Sequence, residues 1–141
     1  MPTTASRNHH AARSGTSLHV ICAEDDVDIC NALQGILEMF GHRVTCAFNG
    51  KEALACIRRS PTPVDLLITD HQMPVMSGCE LVARARKSGY AGRILIYCTP
   101  LSYKDAALYR RFGVTEFLEK PALVNAIINA VQSPSGTLLH V

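Results

Sequence analysis

The stretch Val64-Asp65-Leu66-Leu67-Ile68-Thr69-Asp70-His71-Gln72-Met73-Pro74 is a short apolar run that ends in a carboxylate and passes into a proline-bearing loop. A near-continuous apolar segment such as Val64 to Thr69 is what a strand buried on both faces requires. Working outward, similar runs recur at Leu18 to Ala23, Arg43 to Ala47, Ile94 to Cys98 and Val114 to Leu118. Helix-length amphipathic patterns separate them. Val27 to Phe40 sets Cys30, Leu33, Leu37 and Phe40 at spacings of three and four, and Gly41 supplies the stop. Asn49 with Glu52, and Ser77 with Glu80, have the spacing of capping pairs that open the second and third helices. Ser102 opens a fourth helix running to about Phe112, ended by Gly113, and Pro121 falls where the first residue of a fifth is tolerated. Five β-α units predict an α/β fold, an open parallel sheet with helices on both faces.

Length and composition agree with that reading. A chain of 141 residues, 48% hydrophobic and 18% charged, has the size of one domain and enough apolar material to bury roughly two-thirds of its unfolded surface. No window approaches the roughly 18 consecutive apolar residues of a membrane span, so no membrane partner is expected. The net charge is +2, and Arg7 and Arg13 in the first 17 residues account for it; the remainder balances 12 basic against 12 acidic residues. With no basic stripe, direct nucleic-acid binding is not expected. Cys22, Cys30, Cys46, Cys56, Cys79 and Cys98 form no C-x-x-C pair and sit mostly in apolar runs, the pattern of buried reduced thiols in a cytoplasmic protein. Residues 1–17 carry no secretory signal and read as a disordered tail, 18–132 as the folded domain and 133–141 as a C-terminal tail.

Function in such sheets lies beyond the carboxyl ends of the strands. Strand one ends in Glu24, Asp25 and Asp26, strand three in Asp70, strand four in Thr99, and strand five just before Lys120-Pro121. If the first and third strands are neighbours, three or more carboxylates converge on one rim. Two carboxylates about 4 Å apart repel by about 4 kcal/mol at an effective dielectric near 20, a cost that calls for a compensating cation. The candidate ligands are all oxygens, so Mg2+ is expected, with Mn2+ as the alternative, rather than zinc.

The run Asp70-His71-Gln72-Met73-Pro74-Val75-Met76-Ser77-Gly78 resembles the D-x-x-M-P-x-M-x-G signature of response-regulator receiver domains, the aspartate-phosphorylated half of two-component signalling. Glu24 and Asp25, Thr99, and Lys120-Pro121 match the family's other marked positions in order, over about Leu18 to Gln132. The resemblance implies a flavodoxin-like doubly wound sheet of five strands in order 2-1-3-4-5 with five helices. It implies Asp70 as phosphoacceptor, and Asp25, Asp70, the backbone carbonyl of Gln72 and Glu24, directly or through water, as holders of Mg2+. Lys120 would place an ammonium on the phosphoryl oxygens, and Thr99 would donate its hydroxyl to them and move, vacating space for Phe117 to turn. The implied phosphodonor is a histidine kinase or histidine phosphotransfer protein. The implied output is a downstream protein, or a second copy in a phosphorylation-dependent homodimer, on the helix 4, strand 5, helix 5 face.

Tyr103 and Tyr109 are the expected anchors of that face, Phe117 is either a switch or a core aromatic, and His71 is expected to point to solvent. Lys120-Pro121 is expected to be cis, as is common in the family. Two residues depart from the pattern: Pro100 stands where a small residue is usual, and Phe117 where Tyr is common. About ten residues follow the last helix, too few for an effector module, so the expected protein is a stand-alone receiver similar to chemotaxis regulators, and not an enzyme in its own right. The rival readings are a degenerate receiver serving as a constitutive interaction module, a receiver excised from a hybrid kinase, and a haloacid-dehalogenase-like phosphatase. The last needs a second acid two residues after the nucleophile, where this chain has Gln72.

Overall fold

The structure, a computed structural model, describes residues 16–133. The tails expected at 1–17 and 133–141 lie almost wholly outside the described residues. Ten elements alternate along the chain: β1 (His19–Ala23), α1 (Val27–Met39), β2 (Arg43–Ala47), α2 (Gly50–Arg59), β3 (Leu66–Thr69), α3 (Gly78–Lys87), β4 (Arg93–Cys98), α4 (Tyr103–Arg111), β5 (Glu116–Glu119) and α5 (Val124–Gln132). All strand pairs are parallel, and the order is β2-β1-β3-β4-β5. The flavodoxin-like order implied by the resemblance is the observed one.

Alternation along the strands sorts the core into two layers. Ile21, Ala23, Leu67, Ile94 and Ile96 face one way and pack on Ala53 and Leu54 of α2, Leu81, Val82 and Ala85 of α3, and Tyr109 of α4. Val20, Cys22, Leu66, Ile68 and Leu95 face the other way, onto Cys30, Leu33 and Leu37 of α1 and Ile127, Ile128 and Val131 of α5. Each Leu or Ile so buried contributes about 1.5–3 kcal/mol. β1 and β3 are buried along their whole length, which is why their sequences show no polar alternation.

The caps fall where the sequence places them. Asn49 accepts from Glu52 N–H, Ser77 from Glu80 N–H and Ser102 from Asp105 N–H, each satisfying a donor that the first helical turn leaves unpaired. Gly41 and Gly113, at φ 93° and 79°, terminate α1 and α4 in the left-handed conformation that glycine alone adopts without strain. Two expectations are corrected. Pro121 does not start the fifth helix: it follows a cis Lys120-Pro121 bond at the end of β5, and α5 begins at Val124. β5 starts at Glu116, because Val114 closes the turn after Gly113 by bonding Tyr109 O.

Candidate functional site

Backbone hydrogen bonds just past the strand ends bring the site residues to one rim. Glu24 N–H donates to Ala47 O at 3.0 Å, Asp70 N–H to Ala23 O at 3.0 Å, and Lys120 N–H to Cys98 O at 2.9 Å, so each residue is held by one more rung of its ladder. Carboxylate oxygens of Glu24, Asp25 and Asp70 lie within 4.8 Å of one another. Asp26, the fourth acid of the expected cluster, is spent elsewhere: it caps α1, accepting from Asp28 N–H and Ile29 N–H.

Lys120 closes the cluster. Its Nζ donates to Glu24 Oε1 at 2.7 Å and to Asp70 Oδ2 at 3.1 Å. The ammonium lies 5.6 Å from the centre of the Tyr97 ring, whose hydroxyl accepts from Ala122 N–H just past Pro121. Tyr97 thus supports both the charge and the backbone of the Lys120 loop, a role the sequence reading missed. The available signal was an aromatic with a polar tip inside an apolar strand. Burial alone lowers the Lys120 pKa, but the bonds to Glu24 and Asp70 outweigh it and the net shift is upward, which keeps the ammonium charged. Glu24 is 3% exposed, and burial raises its carboxyl pKa against the bonds from Lys120 and Asp26 N–H. Asp25 is exposed and Asp70 half-buried, so the cluster opens to solvent on one side. Gln72, two residues after Asp70, is exposed in the following loop. The donors are all oxygens, which fits a hard divalent cation and not a zinc site.

The loop after Asp70 is tightly folded. Met76 N–H bonds Pro74 O at 2.8 Å across Val75, whose φ of 74° is strained for a β-branched residue. That turn seats Met76 against Gly50 of α2. Gly78 must be glycine: a Cβ there would collide with Asp70 O and stand 2.7 Å from the Tyr109 hydroxyl. Met73 and Met76 pack against the core, as expected of loop packing.

Thr99 and Pro100 are exposed beyond β4, and with Ser102, Tyr103, Phe117 and Glu119 they line a groove of about 420 Å³. Phe117 is half-buried, its ring edge-on to Tyr109 at 6.2 Å and 5.4 Å from the Arg110 guanidinium. Two sequence expectations fail here. Tyr109 is completely buried and is no surface anchor, because it faces the sheet and fills the space over Gly78. His71 does not point to solvent; its ring turns onto α4, with Nδ1 at 2.7 Å from Tyr109 Oη and Nε2 at 3.3 Å from Asp105 Oδ2. The other anchor, Tyr103, is 95% exposed.

The cysteines are free thiols, three of them buried, and burial pushes the Cys98 thiol up to about 12, too high to furnish a nucleophile. Among the described residues no helix is long and apolar enough to cross a membrane.

Comparison with known proteins agrees with this geometry. The model of the response regulator receiver domain matches residues 20–132. A transcriptional regulatory protein, CrdR, of Helicobacter pylori is 35% identical over 104 residues, which is 72% of this chain and 47% of that protein. A response regulator receiver protein of Anaeromyxobacter is 33% identical over 109 residues, 77% of this chain and 45% of that protein. The chain therefore spans about half the length of these relatives. Among solved structures, the chemotaxis protein CheY4 of Vibrio cholerae is 29% identical with a TM-score of 0.75, covering 83% of this chain and 98% of that one. With the family model matched over residues 20–132 and the acids and lysine gathered on one rim of a sheet of this order, the chain is a member of the response regulator receiver domains of two-component systems.

Proposed function

We propose that this receiver is a phosphoryl switch with Asp70 as its acceptor, charged by a phosphohistidine of a histidine kinase or phosphotransfer protein. The observation that carries the reading is the placement of Asp70 between Lys120, 3.1 Å from its Oδ2, and a carboxylate cluster with donor atoms within 4.8 Å. A carboxylate is a nucleophile at neutral pH without a general base. An Asp70 oxygen attacks phosphorus, the phosphorus–nitrogen bond breaks, and the histidine leaves with its electron pair and takes a proton. The Lys120 ammonium offsets negative charge on the phosphoryl oxygens as they pass through a loose transition state. Asp25, Asp70, the Gln72 carbonyl and Glu24 would hold Mg2+, which supplies further charge neutralisation when bound. Loss of the phosphoryl group to water is the reverse half of the switch, and the residues that support transfer support it too. Thr99, which lines the groove with Phe117, would donate its hydroxyl to the new phosphoryl group, with Phe117 responding to its movement.

The output surface we assign is the α4-β5-α5 face, with Tyr103, Leu123 and Val124 as its exposed apolar residues at 95%, 81% and 50%. Its occupant is a partner protein or a second copy of the chain, in the cytoplasm where histidine kinases present their phosphodonor domains. Pro100 favours a second reading, a receiver that docks constitutively without being phosphorylated. One experiment separates them: mass spectrometry after acetyl phosphate and Mg2+. Wild type gains one phosphoryl adduct and Asp70→Asn gains none. An adduct at wild-type level on Asp70→Asn places the acceptor elsewhere, and no adduct on wild type supports the constitutive module.

A further inference from the structure

His71, Asp105 and Tyr109 form a polar cluster that the phosphoryl chemistry does not use, and it spans the gap between the acceptor loop and α4. The His71 backbone is fixed on one side, its N–H donating to Asp70 Oδ1 at 2.7 Å and its carbonyl accepting from Gly78 N–H at 2.7 Å. Its ring is fixed on the other side by the Tyr109 hydroxyl and the Asp105 carboxylate. A carboxylate only accepts, so the ring hydrogen belongs on Nε2, and Nδ1 then accepts the Tyr109 O–H. Tyr109 is 0% exposed. A hydroxyl carried that deep into an apolar layer, where phenylalanine would pack as well, is there for its hydrogen bond. Burial and the adjoining Cys79 raise the Tyr109 pKa well above its usual value, so the hydroxyl remains a donor. The same ring meets His71 edge-on at 5.6 Å and Phe117 edge-on at 6.2 Å.

We propose that His71 and Tyr109 are positioning residues that tie the phosphoacceptor loop to Phe117, a second route from Asp70 to the α4-β5 face beside the one through Thr99. The proposal rests on Asp70 being the acceptor. One shared ring touches both ends: a displacement of the His71 backbone at the carboxylate moves its imidazole, the imidazole carries the Tyr109 hydroxyl, and Tyr109 is the wall on which Phe117 rests. Its physical content is a coupling energy between two sites, which a double-mutant comparison measures.

The test is ring NMR of the full chain with carbon-13-labelled phenylalanine, the Phe117 signal being assigned with Phe117→Leu, before and after saturation with beryllofluoride and Mg2+. Tyr109→Phe keeps the ring and its packing and removes only the hydroxyl; His71→Ala removes the other partner. Each is expected to cut the beryllofluoride-induced displacement of the Phe117 signal by at least half, and the double variant is expected to do no more than either alone. A wild-type displacement in both single variants, or losses that add in the double variant, overturns the proposal and leaves the cluster as packing. If wild type takes up no beryllofluoride, the acceptor reading fails instead. The tie is then read in the unliganded chain from the same Phe117 signal: a displacement by His71→Ala, at a residue that meets Phe117 only through Tyr109, supports it, and an undisplaced signal overturns it.

Discussion

Pro100 has no backbone N–H to give, and with Thr99 it lines the groove, at a position where the receiver pattern has a small residue. On the proposed switch reading an N–H at position 100 would bond the phosphoryl oxygens; a hydrogen bond to a charged group contributes about 1.5–3 kcal/mol, so its absence is expected to weaken a phosphorylated Asp70 by roughly tenfold to a hundredfold. Two effects reduce that figure: water supplies part of the lost bonding, and proline holds Thr99 extended, which suits a strand end. Pro100→Ala is therefore expected to raise beryllofluoride affinity, or lengthen the aspartyl phosphate lifetime, by up to about tenfold, read by fluorescence titration and phosphate release. Equal affinity and lifetime in the two proteins would show that the donor is irrelevant. Single residues were unevenly legible in the sequence. Asp70, Glu24, Asp25 and Lys120 stand out because a charge ending an apolar run has no core role. Tyr109 and His71 were misjudged because a tyrosine on an amphipathic helix, or a histidine in a loop, carries no sign of which way it turns. Gly78, which leaves room for the Tyr109 hydroxyl, was the clue, and it has meaning only beside a bulky neighbour.

At the scale of elements, α5 is the helix the sequence supports least. Its cap residue Leu123 makes no side-chain bond, and no basic residue lies in its last turn. The missing cation comes from β4: Arg93 Nη1 donates to Val131 O at 2.8 Å and Nη2 to Ala130 O at 2.9 Å. The same guanidinium pairs both oxygens of Glu116 on β5, at 3.0 and 2.6 Å. One arginine thus joins β4, β5 and the carboxyl end of the helix flanking the proposed docking face, in the bidentate geometry that lysine cannot reproduce. Arg93→Ala strands a largely buried Glu116 and is expected to cost about 3–5 kcal/mol, with a melting temperature lower by on the order of 10 °C. Replacing both partners by apolar residues, Arg93→Met with Glu116→Leu, should restore most of the loss in the same melts. A loss in Arg93→Ala no larger than that of an exposed ion pair would remove this clamp from the account of α5. The caps of α2, α3 and α4 were legible in the sequence because a cap is local, whereas Asp26, which caps α1, reads as one more acid after the first strand. The start of α5 was not, because Leu123 makes no side-chain cap bond, and the Arg93 clamp was not, because its helix partners are 37 and 38 residues away.

For the molecule as a whole, the strand order brings Glu24 and Asp25 from β1, Asp70 from β3 and Lys120 from β5 to one rim, and the balance of charge there sets both stability and ligand response. That order was not readable from the apolar runs, since strands buried on both faces look alike whichever neighbours they have; it came from the motif at Asp70 to Gly78. Without a cation that balance is expected to be unfavourable. Three carboxylates face one ammonium, and burial raises the Glu24 pKa, so the stability its carboxyl group contributes is present at low pH and lost as pH rises through the raised value. A divalent cation that bound the folded chain alone would offset that loss by mass action. Asp25 is the exposed member of the cluster and makes no contact with Lys120 among the described ion pairs, so its removal relieves repulsion and takes away a ligand at little cost in packing. Asp25→Ala is accordingly expected to melt a few degrees above wild type in EDTA at neutral pH, and to gain less than wild type when Mg2+ is added in excess. The crossing of the two responses is the informative result: a variant less stable than wild type in EDTA would mean that the metal-free acids are not in net repulsion. A full wild-type gain with Mg2+ would mean that Asp25 is not among the ligands.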